Sequence, residues 1–377
     1  MIKAATTDST RPVRVGVIGL GWGARVHAPA IQAAKGYQLT ALCARDSIKR
    51  QAIARKFGVE DGGSDWRAFV RRKDLDLISI ATPPNLHAEM AYAAIQAGKH
   101  IYVEKPSAPT EAAALQIAEA AERAGVQGAT GFEFRWQSDR SVIAKLVREQ
   151  LIGRPLSFRL VQSWGWNHPH VAMPLGKESA DNRLRFDNGG GFLQGMLSHD
   201  IDYMRALFGN PVAVAADRHV SFPEMLLNDG TTFVSDADDV TTLLFRFRSG
   251  MAGLLSASVV GIHQHEYRIE IYGSDATIVG HSDNGVDFDI RAGRPTDMAL
   301  STVPLSPREP ASGPIPQTDR LWTKVQAHAL LLEDWRPAFD GHPPLSPIPS
   351  LRDGWQVQRI IAAARKSSDG AGWVSLE

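Results

Sequence analysis

The chain has 377 residues, enough to build two cores rather than one. Its 41 Lys+Arg balance 41 Asp+Glu, which excludes the broad positive field that gathers nucleic acid or acidic lipid and favours a small-molecule partner. A single cysteine, Cys43, excludes an intrachain disulfide or a thiolate metal cluster and fits a reducing, cytoplasmic setting.

Residues 1–12, MIKAATTDSTRP, are polar, lack the apolar core of a secretory signal and read as a frayed tail. No later apolar run reaches the ~20 residues that a bilayer span needs. From Val13, VRVGVIG predicts a strand, GLGWGAR a tight turn, and HAPAIQAAKG a helix capped at Gly36. QLTALCA predicts the next strand and Ser47 to Phe57 a helix, followed by a strand from Leu75 to Ala81. A helix from Asn85 to Ala97 closes at Gly98, Ile101 to Glu104 is extended, and Thr110 to Ala124 is an alanine-rich helix. This alternation predicts an α/β fold whose residues 13–130 form a doubly wound parallel sheet, a Rossmann domain.

After Gly131 the texture changes. PLSFRLVQSW, VTTLLFRFRS, AGLLSASVV and EYRIEIYG are β-branched or aromatic runs, predicting a mainly antiparallel open sheet with a few helices. Residues 131–377 are therefore read as a second α/β domain. Within it, 283–318 is crowded with Gly, Pro, Ser and Asp and predicts hairpins and a long loop, and about 350–366 is helical.

Gly19, Gly21 and Ala24 fill a G-x-G-x-x-G/A pattern around Trp22, between a strand and a helix. The first position permits the turn, the second lets backbone approach a pyrophosphate, and the third allows close packing of helix on strand. Glu104, Lys105 and Pro106 follow the strand from Ile101, at the end of the sheet where α/β ligands gather. A lysine suits polarising or protonating a substrate oxygen, since burial beside another cation can lower a lysine's proton affinity.

Other residues have plainer readings. The pairs His168/His170 and His263/His265 lack a third ligand at a fitting spacing, so they read as loop histidines and no metal site is predicted. Asp236, Asp238 and Asp239 read as a solvated acidic turn. Trp164 and Trp166 are suited equally to stacking on a sugar ring or to core packing.

The start GLGWGA, ATPPNLH at 81–87, AGKHIYVEKP at 97–106, GFEFRW at 131–136, GGGFLQGMLSHDID at 189–202 and SLRDGWQVQRIIAA near the end together resemble the Gfo/Idh/MocA family of glucose-fructose and inositol-type oxidoreductases. The resemblance implies hydride transfer between a nicotinamide and a sugar, polyol or related compound, in a homodimer or homotetramer with its active site between the lobes. It implies that Lys105 is the catalytic lysine, before an often cis proline, and that His199 is a second acid/base. Thr82, Pro83, Asn85 and His87 match the loop flanking the cofactor, with Glu104 and Lys105 beside it, while Arg135, Trp136, Trp164 and Asp202 are assigned to the substrate.

The chain departs from the family at Gly195, where an aspartate is usual, and at Leu197; Glu133 or Asp187 is the candidate replacement carboxylate. Ala44 stands where an acid commonly binds the adenosine ribose, and Arg45 follows with Lys49 and Arg50 nearby, so NADP(H) is favoured over NAD(H). Two other readings accompany the dehydrogenase. One is a cofactor-assisted lyase or glycosidase, and the other is a non-catalytic nucleotide-sensing regulator, which retention of Lys105 and His199 argues against.

Overall fold

The computed structural model describes residues 11–165, 168, 174–263, 265–285, 287–313 and 321–377; Trp166, His170 and the first ten residues of the expected tail lie outside them. Arg11, at the end of that tail, is anchored rather than frayed. Its guanidinium reaches Asp76 at 3.1 Å, and its carbonyl accepts from Arg336 at 3.2 Å.

Six strands, β1 (Val13–Ile18), β2 (Tyr37–Cys43), β3 (Glu60–Asp61), β4 (Leu77–Ile80), β5 (His100–Val103) and β6 (Gly128–Thr130), make a parallel sheet in the order β3-β2-β1-β4-β5-β6. Between them run α1 (Ala28–Ala33), α2 (Ser47–Phe57), α3 (Trp66–Phe69), α4 (His87–Gln96) and α5 (Glu111–Ala124). Asp46 and Thr110 accept backbone N–H bonds at the starts of α2 and α5, and left-handed Gly58 and Gly125 end them, so local chemistry sets these boundaries. β3 and β6 span two and three residues, too few to show a periodicity.

The chain continues through α6 (Ser138–Arg148), β7 (Pro155–Ser163), α7 (Lys177–Arg183), α8 (Ser198–Phe208), β8 (Ala213–His219) and the hairpin of β9 (Glu224–Leu226) and β10 (Thr232–Val234). Then come β11 (Val240–Arg246), β12 (Ala252–Ser258), β13 (Glu266–Gly273), β14 (Thr277–Ser282), β15 (Asp289–Gly293) and β16 (Ser301–Thr302). These strands, without β9 and β10 but with β17 (Val374–Ser375), form a nine-stranded sheet ordered β16-β15-β14-β13-β7-β12-β11-β8-β17. Its pairings are antiparallel except β7 with β12. Phe158, Leu160 and Gln162 of β7 are buried while their neighbours are not, the alternation of a sheet packed on one face.

Two helices remain, α9 (Trp322–Trp335) and α10 (Leu351–Lys366). The chain packs as two units, residues 1–137 with 308–356 and residues 138–307 with 357–377. Residues 131–377 are thus not one body. A parallel sheet needs cover on both faces, and the apolar stripe of α9, Leu330, Leu331 and Trp335, supplies one of them beside α1, against Val15, Leu77 and Tyr102. On the other face α4 and α5 pack with Phe69, Ile78 and Ile101.

One buried carboxylate pins α9. Asp334 accepts from the Trp136 indole at 2.8 Å and from Arg308 and Ser346. Burial alone would raise its proton affinity, but the bonds from Arg308, Ser346 and Trp136 together hold it below the ordinary value. A carboxyl with a depressed folded-state value stabilises fully above its unfolded value, near 4, and that contribution is lost as pH falls below it. Asp334→Ala is expected to cost about 2–4 kcal/mol, since it strands a buried indole N–H and an arginine. In urea titrations at pH 7 and pH 3 the deficit should shrink at the lower pH; an equal deficit at both would refute the charged role.

Candidate active site

β1 ends at Ile18 and the chain reverses at Gly19, whose φ of +98° and close approach to Ala81, 2.5 Å from a would-be Cβ to the carbonyl oxygen, admit only glycine. Gly21 is exposed with nothing within 4 Å of such a Cβ, so its backbone is open to a phosphate. Close packing of helix on strand falls to Gly23 rather than Ala24. A Cβ at Gly23 would lie 2.9 Å from Val17, while Ala24 and Trp22 are half-buried against the α1 side of the core. A π-helical turn, Gly23–His27, leads into α1.

After β2, Ala44 is half-buried and Arg45 exposed. Asp46 is committed to its cap, accepting from Lys49 N at 2.9 Å. Arg50, expected to assist at the helix start, instead turns inward to Asp61 and the Ala44 carbonyl. Arg45 and Lys49 are exposed at this strand end.

In the loop after β4, Thr82 and Pro83 are half-buried and Asn85 is exposed. His87 is buried, with its ring nitrogens 2.8 Å from the Thr82 and Pro106 carbonyl oxygens, so it braces two loops from within. Burial depresses its proton affinity. The Lys105–Pro106 bond is cis, as the resemblance implied, and the Lys105 side chain is half-buried.

Glu104 is the centre of a buried polar cluster. Its Oε2 accepts from Lys105 N at 3.0 Å, and its Oε1 lies 2.8 Å from His27 Nε2. His27 Nδ1 lies 2.6 Å from Ser79 Oγ. His328 of α9 bonds through Nδ1 to the Tyr102 hydroxyl, and its Nε2 faces Glu104 Oε1 at 3.6 Å and Glu133 Oε2 at 3.8 Å. Lys324 stands 3.6 Å from Glu133 Oε1. Burial would raise Glu104, but the His27 bond and the facing cations hold it below the carboxylate range; burial raises Glu133 and depresses His328 to about 3. Lys324 and His328 escaped the sequence reading because α9 was not foreseen, with their i, i+4 spacing the available signal, while His27 sits at the foreseen start of α1 and nothing local singled it out.

In the other unit a second π-helical turn, Leu193–Leu197, leads into α8 and places His199, 3% exposed, in its first turn. Gly191, at φ +88°, passes so close to Asp238 that a Cβ would stand 2.4 Å from its Oδ1. Of the acidic turn only Asp236 is exposed; Asp238 and Asp239 are buried rather than solvated. Asp238 accepts from Leu193 N of the glycine-rich segment and from Thr241, Asp236 from Phe186 N, and Asp239 from Ser221 N, each satisfying a backbone N–H outside a strand ladder. Burial raises the Asp238 carboxyl.

Several residues assigned to the substrate have internal partners. Trp164 is buried and donates to Gln162, which donates in turn to Asp200. Tyr267 also donates to Asp200. Asp202 is buried, 3.9 Å from the Arg205 guanidinium, and Trp136 is turned to Asp334. Arg135 is half-buried, 3.9 Å from Asp353. His263 and His265 are exposed, as expected of loop histidines.

Residues 13–132 match the oxidoreductase family with an NAD-binding Rossmann fold, and residues 142–279 match the GFO/IDH/MocA C-terminal domain. The chain belongs to the Gfo/Idh/MocA oxidoreductases. Among its relatives, the levoglucosan dehydrogenase of Pseudarthrobacter phenanthrenivorans is 29% identical, over 97% of this chain and 98% of its own. A solved levoglucosan dehydrogenase in complex with NADH and levoglucosan superposes with a TM-score of 0.83 at 28% identity, covering 97% of this chain and 100% of that one. An NADP+-dependent scyllo-inositol 2-dehydrogenase of Bacillus subtilis is 26% identical over 75% of this chain and 72% of its own. For a Gfo/Idh/MocA chain the departure at Gly195 is conspicuous, and Asp187 does not fill it. Asp187 is exposed and paired with Arg365 at 2.9 Å, and among the described residues nothing lies within 4 Å of a would-be Cβ at Gly195.

Proposed function

We propose that this oxidoreductase transfers a hydride between C4 of NADP(H) and a carbinol carbon of a cyclic sugar, polyol or related hydroxy/oxo compound. The observation that carries the reading is Lys105, at the carboxyl end of β5 in the unit that also holds the glycine turn of β1, with its backbone fixed by Glu104. The bound nicotinamide accepts or supplies the hydride. Lys105 and His199 exchange the hydroxyl proton, and Gly19, Gly21, Thr82 and Pro83 bind the cofactor. Arg135, half-buried, is retained as the substrate contact. We further read the protein as a cytoplasmic homodimer or homotetramer formed through the open sheet; among the described residues no helix is long and apolar enough to cross a membrane.

The cofactor preference rests on Arg45 and Lys49 being exposed beside half-buried Ala44, with Asp46 tied to its cap. Ala44 brings no carboxylate to the ribose position, Asp46 is turned to its cap, and a guanidinium can bind a 2′-phosphate with paired, charge-assisted bonds. The test is absorbance at 340 nm with levoglucosan, L-sorbose, inositols and aldoses, using both cofactors. Wild type should accumulate reduced cofactor with a higher kcat/KM for NADP+, and Arg45→Ala should lower the NADP+/NAD+ ratio by about 10-fold, the scale of one charge-assisted contact. A wild-type preference for NAD+, or an unchanged ratio, refutes the cofactor assignment; product without reduced cofactor identifies a lyase.

A further inference from the structure

We propose that His27, Glu104 and His328, with Glu133 as fourth ligand, form a binding site for a divalent transition metal, best suited to zinc. The site goes beyond the hydride-transfer reading and does not depend on it. Ligand atoms of His27, Glu104 and His328 lie within 4.8 Å of one another, and all three residues are buried. His27 Nε2 stands 2.8 Å from Glu104 Oε1, and His328 Nε2 stands 3.6 Å from Glu104 Oε1 and 3.8 Å from Glu133 Oε2, so Glu133 adjoins the three-residue group on the His328 side. A tetrahedral ion with bonds of about 2.0–2.1 Å needs ligand atoms roughly 3.3 Å apart, which the His27–Glu104 and His328–Glu104 separations of 2.8 and 3.6 Å bracket, while Glu133 would have to turn inward from His328 to complete the set. Two imidazoles with carboxylate oxygens are the donor set that zinc takes.

Two independent features support a ligand there. His328 Nε2 is fully buried and makes no hydrogen bond, although it points at two carboxylates. The far atom of every ligand is also braced. His27 Nδ1 has Ser79, His328 Nδ1 has Tyr102, Glu104 Oε2 has Lys105 N, and Glu133 Oε1 has Lys324. Such outer contacts fix ring tautomer and carboxylate orientation at metal centres. With Nδ1–H donated to a hydroxyl oxygen, each imidazole presents an Nε2 lone pair, and binding displaces any proton held there. An ion so placed would tie the helical turn after β1, the end of β5 and α9 together. No spacing announces it, because its ligands lie at positions 27, 104, 133 and 328.

The test uses the full chain, purified without a metal-affinity tag, stripped with chelator and titrated with Zn2+ or Co2+. We expect about one zinc per chain by elemental analysis and visible d–d bands of tetrahedral Co2+. His27→Ala and His328→Ala should abolish the bands, and Ser79→Ala should weaken binding about 10- to 100-fold. His263→Ala, in an exposed loop, should change nothing. Wild-type protein that takes up no stoichiometric metal overturns the proposal, and that result stands even if the histidine variants do not fold. Bands that survive in folded His27→Ala and His328→Ala would equally overturn it, leaving an ion-free hydrogen-bonded cluster.

Discussion

Lys105→Ala is expected to lower kcat by about 10²-fold or more, the scale of a positioned acid/base group, while cofactor affinity changes little. The lysine follows β5 directly, and its backbone N–H is held by Glu104, itself fixed by His27 from the turn after β1. The side chain is thereby presented from the same unit as the dinucleotide turn, without being needed to build that turn. Lys105→Arg should be nearly as impaired, because a guanidinium does not release its proton in the working pH range. Steady-state turnover and fluorescence titration of NADPH separate the two effects. Near-wild-type turnover in Lys105→Ala would sink the assignment, whatever the outcome of the metal titration.

His199→Gln is expected to lose about 10²-fold in kcat and to flatten the limb of the pH–rate profile that an imidazole contributes near neutrality. His199 lies in the first turn of α8, after a π-helical turn held by Asp238 through Leu193 N. The next residue, Asp200, is locked by Gln162 and Tyr267, so this helix start has a fixed orientation. Glutamine keeps a hydrogen-bonding side chain but cannot titrate, which distinguishes proton transfer from packing. A profile with both limbs intact would count against an acid/base role. Gly195 itself supplies no carboxylate one turn before His199, where the resembling family commonly has an aspartate.

The Rossmann half was legible because its signals are local. Gly19 is required by a turn, α2 begins at an aspartate and stops at a left-handed glycine, and β4 and β5 are short apolar runs. The alternation along β7 likewise announced a sheet with one covered face. Motif order also pointed to the glycine turn, Lys105 and His199 without any coordinates. The sequence by itself therefore determined the fold class, the family and the two residues proposed to move the proton. Only tertiary structure decided that α9 returns to cover the parallel sheet, because its apolar stripe would suit any flat hydrophobic face. It also decided that Arg50 turns inward, that Asp238 serves buried backbone N–H groups, and that His27, Glu104, Glu133 and His328 meet. Polar groups in a core are satisfied by whichever partners the packing brings near, and that choice has no period along the chain.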